Sequence, residues 1–307
     1  MSGDGTPSTL RAEGLTKAYD GTKVVDSVDI EVKGGEIFGF LGPNGAGKTT
    51  TISMMVGLIE PTTGRCLIDG IDVIRKPIEA KRIIGYLPDG VGFYTHLNAK
   101  QNLKYLSKFY DIKDADARID ELIKYVGLGG VGRPVGKFSR GMRQRLGLAL
   151  SLLNDPRVIL MDEPTNGLDP EGVMLFRRIV KEQAAAGKAV LLSSHALEEV
   201  GNLCNRFGII KGGKMAVSGS MDDVRNGLRS DGNVRILVRS HGNMPDLKTE
   251  GIVSAAYSGE TAEIVARSDI CDQIASELYA SHIQVRELRV VGTSLEDIFM
   301  QTVYGGA

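Results

Sequence analysis

From residue 9 to about residue 32 apolar and polar residues mix at close spacing. Leu10, Val24, Val25, Val28, Ile30 and Val32 predict strands joined by a turn at Tyr19-Asp20-Gly21. Residues 36–41 form a short, mostly apolar run that reads as a buried strand, and residues 49–55 start a helix-compatible stretch. Residues 66–68 and 83–87 predict two more strands, the second stopped by Pro88. Between residues 98 and 127 the spacing turns helical, through Leu103, Leu106, Phe109, Ile119, Leu122, Ile123 and Val126. A glycine-rich connection over 127–136 leads to a predicted helix at 143–153 and a buried-type strand at 157–161. Residues 175–186 read as a helix and 189–192 as a strand. Ile209-Ile210 and residues 214–217 read as a hairpin about Gly212-Gly213.

After about Gly219 the composition shifts. Residues 233–238, 252–257, 262–266 and 283–291 predict strands, and 270–279 a helix. A closing helix over 294–303 begins with Ser294-Leu295-Glu296-Asp297, which reads as a cap. This tail, residues 221–307, is expected to be a small α+β module of its own. Residues 1–8 are expected to be a flexible tail and 9–220 the main domain.

The 307 residues suffice for one large domain plus a small one. A formal net charge of −1 supplies no field that would draw the chain to nucleic acid or an anionic membrane. Cys66, Cys204 and Cys271 are far apart and odd in number, which suggests neither a disulfide framework nor a zinc site and fits a reducing cytoplasm. The polar start of the chain does not read as a signal peptide. No apolar run approaches the roughly 20 residues needed to cross a bilayer, so any membrane role is expected to come through a partner.

Residues 42–49 read Gly-Pro-Asn-Gly-Ala-Gly-Lys-Thr, which is glycine, four free positions, then Gly-Lys and a hydroxyl residue. This is the pattern of a phosphate-binding loop. A strand before it and a helix after it make a nest of backbone N–H groups at a helix N-terminus, which favours a polyanion. Gly42, Gly45 and Gly47 let the backbone approach phosphate without a Cβ in the way. Lys48 can neutralise β- and γ-phosphates, and Thr49 offers a hydroxyl to Mg²⁺. Pro43, Asn44, Ala46 and Thr50 complete the expected nucleotide-binding set. The plain alternative, a glycine turn beside a lysine, does not explain the flanking strand and helix.

Residues 158–163 are four apolar residues ending in Asp162 and Glu163. A buried strand would deliver Asp162 beside the loop, where it can hold the Mg²⁺ shell with Thr49. Glu163 stands next to it and can polarise, or accept a proton from, an attacking water. A general base there separates a hydrolase from a nucleotide sensor.

Ahead of that strand lies Phe138-Ser139-Arg140-Gly141-Met142-Arg143-Gln144-Arg145. With this string the chain resembles the ATPase subunit of an ABC transporter, whose signature is Leu-Ser-Gly-Gly-Gln. Ser139 and Gly141 match, Phe138 is a mild change, and Arg140 and Met142 depart at the third and fifth positions. A plain helix cap fits the local string equally well, so the order of motifs carries the resemblance. Tyr19 lies where the family has an aromatic residue stacking on adenine. Gly167-Leu168-Asp169-Pro170 looks like the family's loop that meets the partner subunit, with Asp169 in it. His195 looks like its switch histidine, which contacts the γ-phosphate. His96, His241 and His282 have no such context and read as surface residues. After Pro88 most members carry Gln, and this chain has Asp89, which can still bind Mg²⁺ directly or through water. An acidic residue there resembles the drug- and antibiotic-export subgroup, as does the tail ending Ser294 to Phe299.

The resemblance covers residues 9 to 220 and implies an α/β fold: a P-loop NTPase ABC cassette with a mixed sheet core and a helical subdomain at about 90–155, plus the small C-terminal α+β module. It implies ATP and Mg²⁺, hydrolysis by Glu163 with His195, and Ser139, Arg140, Gly141 and Met142 facing the ATP of a second chain. The partners it implies are a second ATPase subunit, most simply a homodimer, and an integral-membrane permease holding the chain at the cytoplasmic face of the cell membrane. Residues 85–103 also look like the ATPase associated with copper insertion into nitrous oxide reductase, which leaves that system as an alternative. A soluble ABC-type ATPase acting on DNA, ribosomes or protein assembly is the other. Against it stand the lack of a long heptad tract between loop and signature, the single cassette and the near-neutral charge.

Overall fold

In the computed structural model Asp20 and Gly21 take φ of 49° and 80°. Two positive-φ residues make the tight turn that matches strand twist, so β1 (Thr9–Tyr19) folds straight back on β2 (Thr22–Lys33). The structure describes residues 9–110, 112–195, 203–220, 223–224, 234–291 and 295–304. The expected N-terminal tail and the cap residue Ser294 lie outside the described residues. The chain divides into two units, Met1–Ser220 and Met221–Ala307.

In the first unit β1 and β2 join β4 (Thr63–Ile68) and β5 (Ile71–Asp72) in an antiparallel sheet of order β2-β1-β4-β5. The second sheet is mixed. It contains β3 (Ile37–Leu41), β6 (Ile84–Leu87), β7 (Val158–Met161), β8 (Ala189–Ser194), β9 (Arg206–Lys211) and β10 (Lys214–Ser220), in the order β10-β9-β3-β8-β7-β6. All its pairings are parallel except the β9–β10 hairpin. Parallel strands are covered on both faces, which is why β3, β7 and β8 are buried at every position. Phe38, Phe40, Leu160 and Leu191 from this sheet share one apolar cluster with Leu10, Leu15 and Val28 of the other and with Ile52, Met54 and Met55 of α1 (Lys48–Met55).

Among the described residues this unit has five more α-helices: α2 (Pro77–Ile83), α3 (Ala99–Ser107), α4 (Ala115–Tyr125), α5 (Arg140–Ser151) and α6 (Pro170–Ala185). Two of them start earlier than their apolar spacing predicts. The Ser139 side chain accepts from Met142 N and starts α5 at Arg140 instead of 143. Asp169 accepts from Gly172 N, with Pro170 behind it, and starts α6 at Pro170 instead of 175. In both cases a side-chain cap, and not apolar periodicity, sets the boundary. The short elements α2 and β5 had no predictive pattern.

The second unit is an antiparallel sheet of β11 (Val234–Ser240), β12 (Ile252–Ser258), β13 (Thr261–Ala266) and β14 (Val285–Val291), in the order β12-β13-β11-β14. Ile236, Val238, Ala262 and Ile264 pack with Ile274 and Leu278 of α7 (Cys271–Ala280). α8 (Leu295–Tyr304) contributes buried Ile298, Phe299 and Val303.

Candidate functional site

Strand β3 ends at Leu41, and the chain must turn at once to start α1 at Lys48. Gly45 and Gly47 take φ of 78° and 106°. At Gly47 a Cβ would also come within 2.9 Å of Val24 O, and at Gly42 within 2.6 Å of Ile210 O. Both glycines are therefore demanded by space, and Gly47 by conformation as well. Gly47 is the N-cap of α1 and offers no side-chain partner, so the first N–H groups of the helix stay directed at the loop. Ala46 is buried, and its carbonyl accepts from Gly213 N at 3.1 Å, pinning the loop to the β9–β10 turn.

Lys48 lies folded into this loop. Its Nζ donates to Gly42 O at 2.7 Å and Pro43 O at 3.3 Å, and it ion-pairs with Glu163 Oε1 at 3.3 Å. Only 6% of the lysine side chain and 12% of the glutamate side chain are exposed, so the charges meet with little water to screen them. The other Glu163 oxygen lies 2.9 Å from His195 Nδ1. Asp162 is buried at the end of β7, its N–H bonded to Leu87 O at 2.8 Å. Ser193 on β8 bonds both acids, donating to Asp162 Oδ1 and accepting from Glu163 N. Burial pushes the nearby Tyr86 phenol up to about 12, the Asp162 carboxylate adding to this and a Ser53 hydrogen bond opposing it.

Around the loop opens a cleft of about 370 Å³. Asn44, Gly45, Gly47, Lys48, Thr49 and Thr50 line it, with Asp89, Glu163 and His195 opposite. Val24 and Asn166 line it too and were not anticipated from the sequence. Asn166 donates to Asp89 Oδ1 at 3.1 Å, and Arg140 Nη2 lies 3.6 Å from the same oxygen. Ser139, Gly141 and Met142 do not line the cleft. Gly141 packs so close to the 167–169 loop that a Cβ there would sit 3.0 Å from Gly167 O. Gln144 donates to Pro164 O and ties α5 to the segment after Glu163. Asp169 is exposed and caps α6. Tyr19 is also outside the lining, about half exposed, with Lys17 Nζ 5.2 Å from its ring centre.

The donor set fits a magnesium–polyphosphate. The loop carries N–H groups and one ammonium, while Thr49, Asp162 and Asp89 are hard oxygen donors. No group of three or more metal-binding side chains occurs among the described residues. Mg²⁺ keeps waters and shares substrate phosphates instead of filling an all-protein cage, so two or three protein oxygens suffice.

A second, apolar groove of about 320 Å³ is lined by Leu58, Tyr86, Leu106, Phe109, Tyr110 and Leu150 among others. Tyr94, Tyr105 and Phe109 stack edge-on beside it at 5.0 and 6.0 Å, all substantially exposed. Among the described residues no helix is long and apolar enough to cross a membrane.

Residues 25–166 match the family model described as "ABC transporter". The chain is 37% identical to the bacitracin transport ATP-binding protein BcrA of Bacillus licheniformis, over 97% of this chain and 98% of that protein. It is 32% identical to the linearmycin resistance ATP-binding protein LnrL of Bacillus subtilis (strain 168), over 95% and 97%. A solved ATP-binding subunit of an ABC transporter superposes with a TM-score of 0.67 at 31% identity, over 72% of this chain and 94% of that one.

Proposed function

The chain belongs to the ABC transporter family as an ATP-binding subunit that hydrolyses ATP to power transport, and we propose that it drives a separate permease of the antibiotic-export type. The relatives named for bacitracin transport and linearmycin resistance support that cargo class. They lend nothing to the copper-insertion or soluble non-transport alternatives.

The observation that carries the mechanism is the Glu163 carboxylate, held between Lys48 at 3.3 Å and His195 at 2.9 Å in a cleft shaped for phosphate. The loop N–H groups and Lys48 bind the β- and γ-phosphates. Mg²⁺, when bound, neutralises phosphate charge, with Thr49 and Asp162 to hold it and Asp89 beside it directly or through water. Glu163 orients the attacking water and takes its proton. His195 sits at the γ-phosphate end and holds the Glu163 side chain in place. Tyr19 stacks on the adenine.

Ser139, Arg140, Gly141 and Met142 do not line the cleft of their own chain. This supports a head-to-tail homodimer in which they, with Asp169, close the ATP site of the second copy. Closure excludes water, and hydrolysis with phosphate release reopens the pair. The movement reaches the permease through Asp89 and the aromatic groove at Tyr94, Tyr105 and Phe109. On this reading the protein sits on the cytoplasmic face of the membrane, bound through the permease and not to nucleic acid.

Co-purification from detergent-solubilised membranes tests the assignment. A multi-span membrane protein in stoichiometric amount is expected. Recovery of ribosomes, DNA or a soluble assembly instead would overturn the transport role.

A further inference from the structure

Ser193 has no exposed surface, yet its hydroxyl is engaged twice. It donates to Asp162 Oδ1 at 2.6 Å and accepts from the Glu163 backbone N–H at 2.9 Å. One oxygen atom on β8 thus touches both acids at the end of β7. The register explains the placement. Met161 pairs with Leu192 across the two parallel strands, so the next residue on β8 stands beside Asp162.

Glu163 needs such an anchor. Its φ is 46°, in the left-handed region that residues with a Cβ rarely adopt. At this bend the chain has left the β7 ladder, and the amide proton would otherwise be buried without an acceptor. Lys48 and His195 hold the two carboxylate oxygens of Glu163, and Ser193 holds its backbone. The proton that Ser193 gives to Asp162 fixes the rotation of that carboxylate at the same time.

We propose that Ser193 is a positioning residue for ATP hydrolysis, a hydroxyl clamp that locks the Asp162 carboxylate and the strained Glu163 backbone into one unit. The proposal rests on the reading of Glu163 as base and Asp162 as the carboxylate on the metal side. A base that pivots about a loosened backbone loses alignment with the attacking water, and small misplacements cost large factors in rate. Ser193 is not among the residues that line the cleft around the phosphate loop, so capture of the nucleotide at saturating Mg²⁺ is expected to stay nearly intact.

The test compares Ser193→Ala and Ser193→Thr in the full-length chain, each checked for native circular dichroism. Ser193→Ala is expected to lower kcat at least tenfold and to change KM for ATP less than threefold. It is also expected to raise several-fold the Mg²⁺ concentration needed for half-maximal binding of a fluorescent ATP analogue, a readout independent of turnover. Ser193→Thr keeps the hydroxyl on a strand that favours β-branched residues, and most of both properties should return. In a Glu163→Gln background Ser193→Ala should slow the residual turnover less than twofold, because residues acting as a unit are non-additive. A folded Ser193→Ala protein with wild-type kcat and Mg²⁺ response would overturn the clamp, as would equal losses in the Ala and Thr variants. A wild-type chain that binds but never hydrolyses ATP would instead sink the underlying assignment of Glu163.

Discussion

Lys48 Nζ and Glu163 Oε1 lie 3.3 Å apart, so the proposed phosphate-binding cation is paired with the proposed base. In the proposed mechanism a phosphate and the Glu163 carboxylate compete for this one ammonium. In Glu163→Gln the lysine keeps its two carbonyl partners and loses its anionic one. Nucleotide affinity should hold or rise, while turnover falls by about 10²–10⁴. Fluorescent nucleotide titration beside single-turnover hydrolysis checks both, and near-normal hydrolysis would remove Glu163 as the base.

Gly47→Ala tests the loop. The new Cβ would meet Val24 O at 2.9 Å and Val25 Cγ2 at 3.2 Å, at a φ of 106°. Strain of about 1–3 kcal/mol is expected, and because it falls on the cap of α1 the nucleotide site should suffer most. Denaturant unfolding and ATP titration measure the two effects. A variant with unchanged affinity would mean that the loop relaxes elsewhere.

Asp89 and Arg140 are both departures from the pattern of the family, and they face each other at 3.6 Å, both exposed. An exposed pair is worth little, about 0–1 kcal/mol. Asp89→Gln should therefore leave stability almost unchanged and keep hydrolysis, since the amide can still reach Asn166 and a hydrated metal. Complete loss of hydrolysis in a stable Asp89→Gln protein would show that the carboxylate itself is required.

Burial pushes the Cys66 thiol far up, with the Asp72 charge adding to it, and burial does the same at Cys204. In the unfolded chain a thiol ionises near pH ~8.5. Above that pH the unfolded state has released a proton that the folded state still holds, so stability falls as pH rises, by about 1.4 kcal/mol per pH unit for each thiol. Below pH ~8 this contribution is fully present. Urea unfolding between pH 8 and 10 should show the decline, and a Cys66→Ala variant should show a shallower one. An identical slope in that variant would exclude Cys66 as a source.

The chemistry was legible in the sequence because phosphate binding is local. The loop at 42–49 needs glycines, a lysine and a hydroxyl in consecutive order between a strand and a helix, and each requirement is written in neighbouring residues. The acidic pair after the apolar run 158–161, and the parallel strands with no polar interruption, are legible for the same reason. The helix starts at Arg140 and Pro170 were less so, because capping by Ser139 and Asp169 set them while apolar spacing pointed further on.

What the tertiary structure alone decided is which distant residues share an atom's reach. Ser193 meets Asp162 and Glu163 from 31 and 30 positions away. Asn166 reaches Asp89 across 77, and Arg140 finds that same carboxylate. A serine inside a buried strand looks like any other small residue until the register of β7 against β8 is set, and that register comes from packing both strands into one apolar core. Local order thus names the groups proposed to bind and react, and the fold determines how they are held.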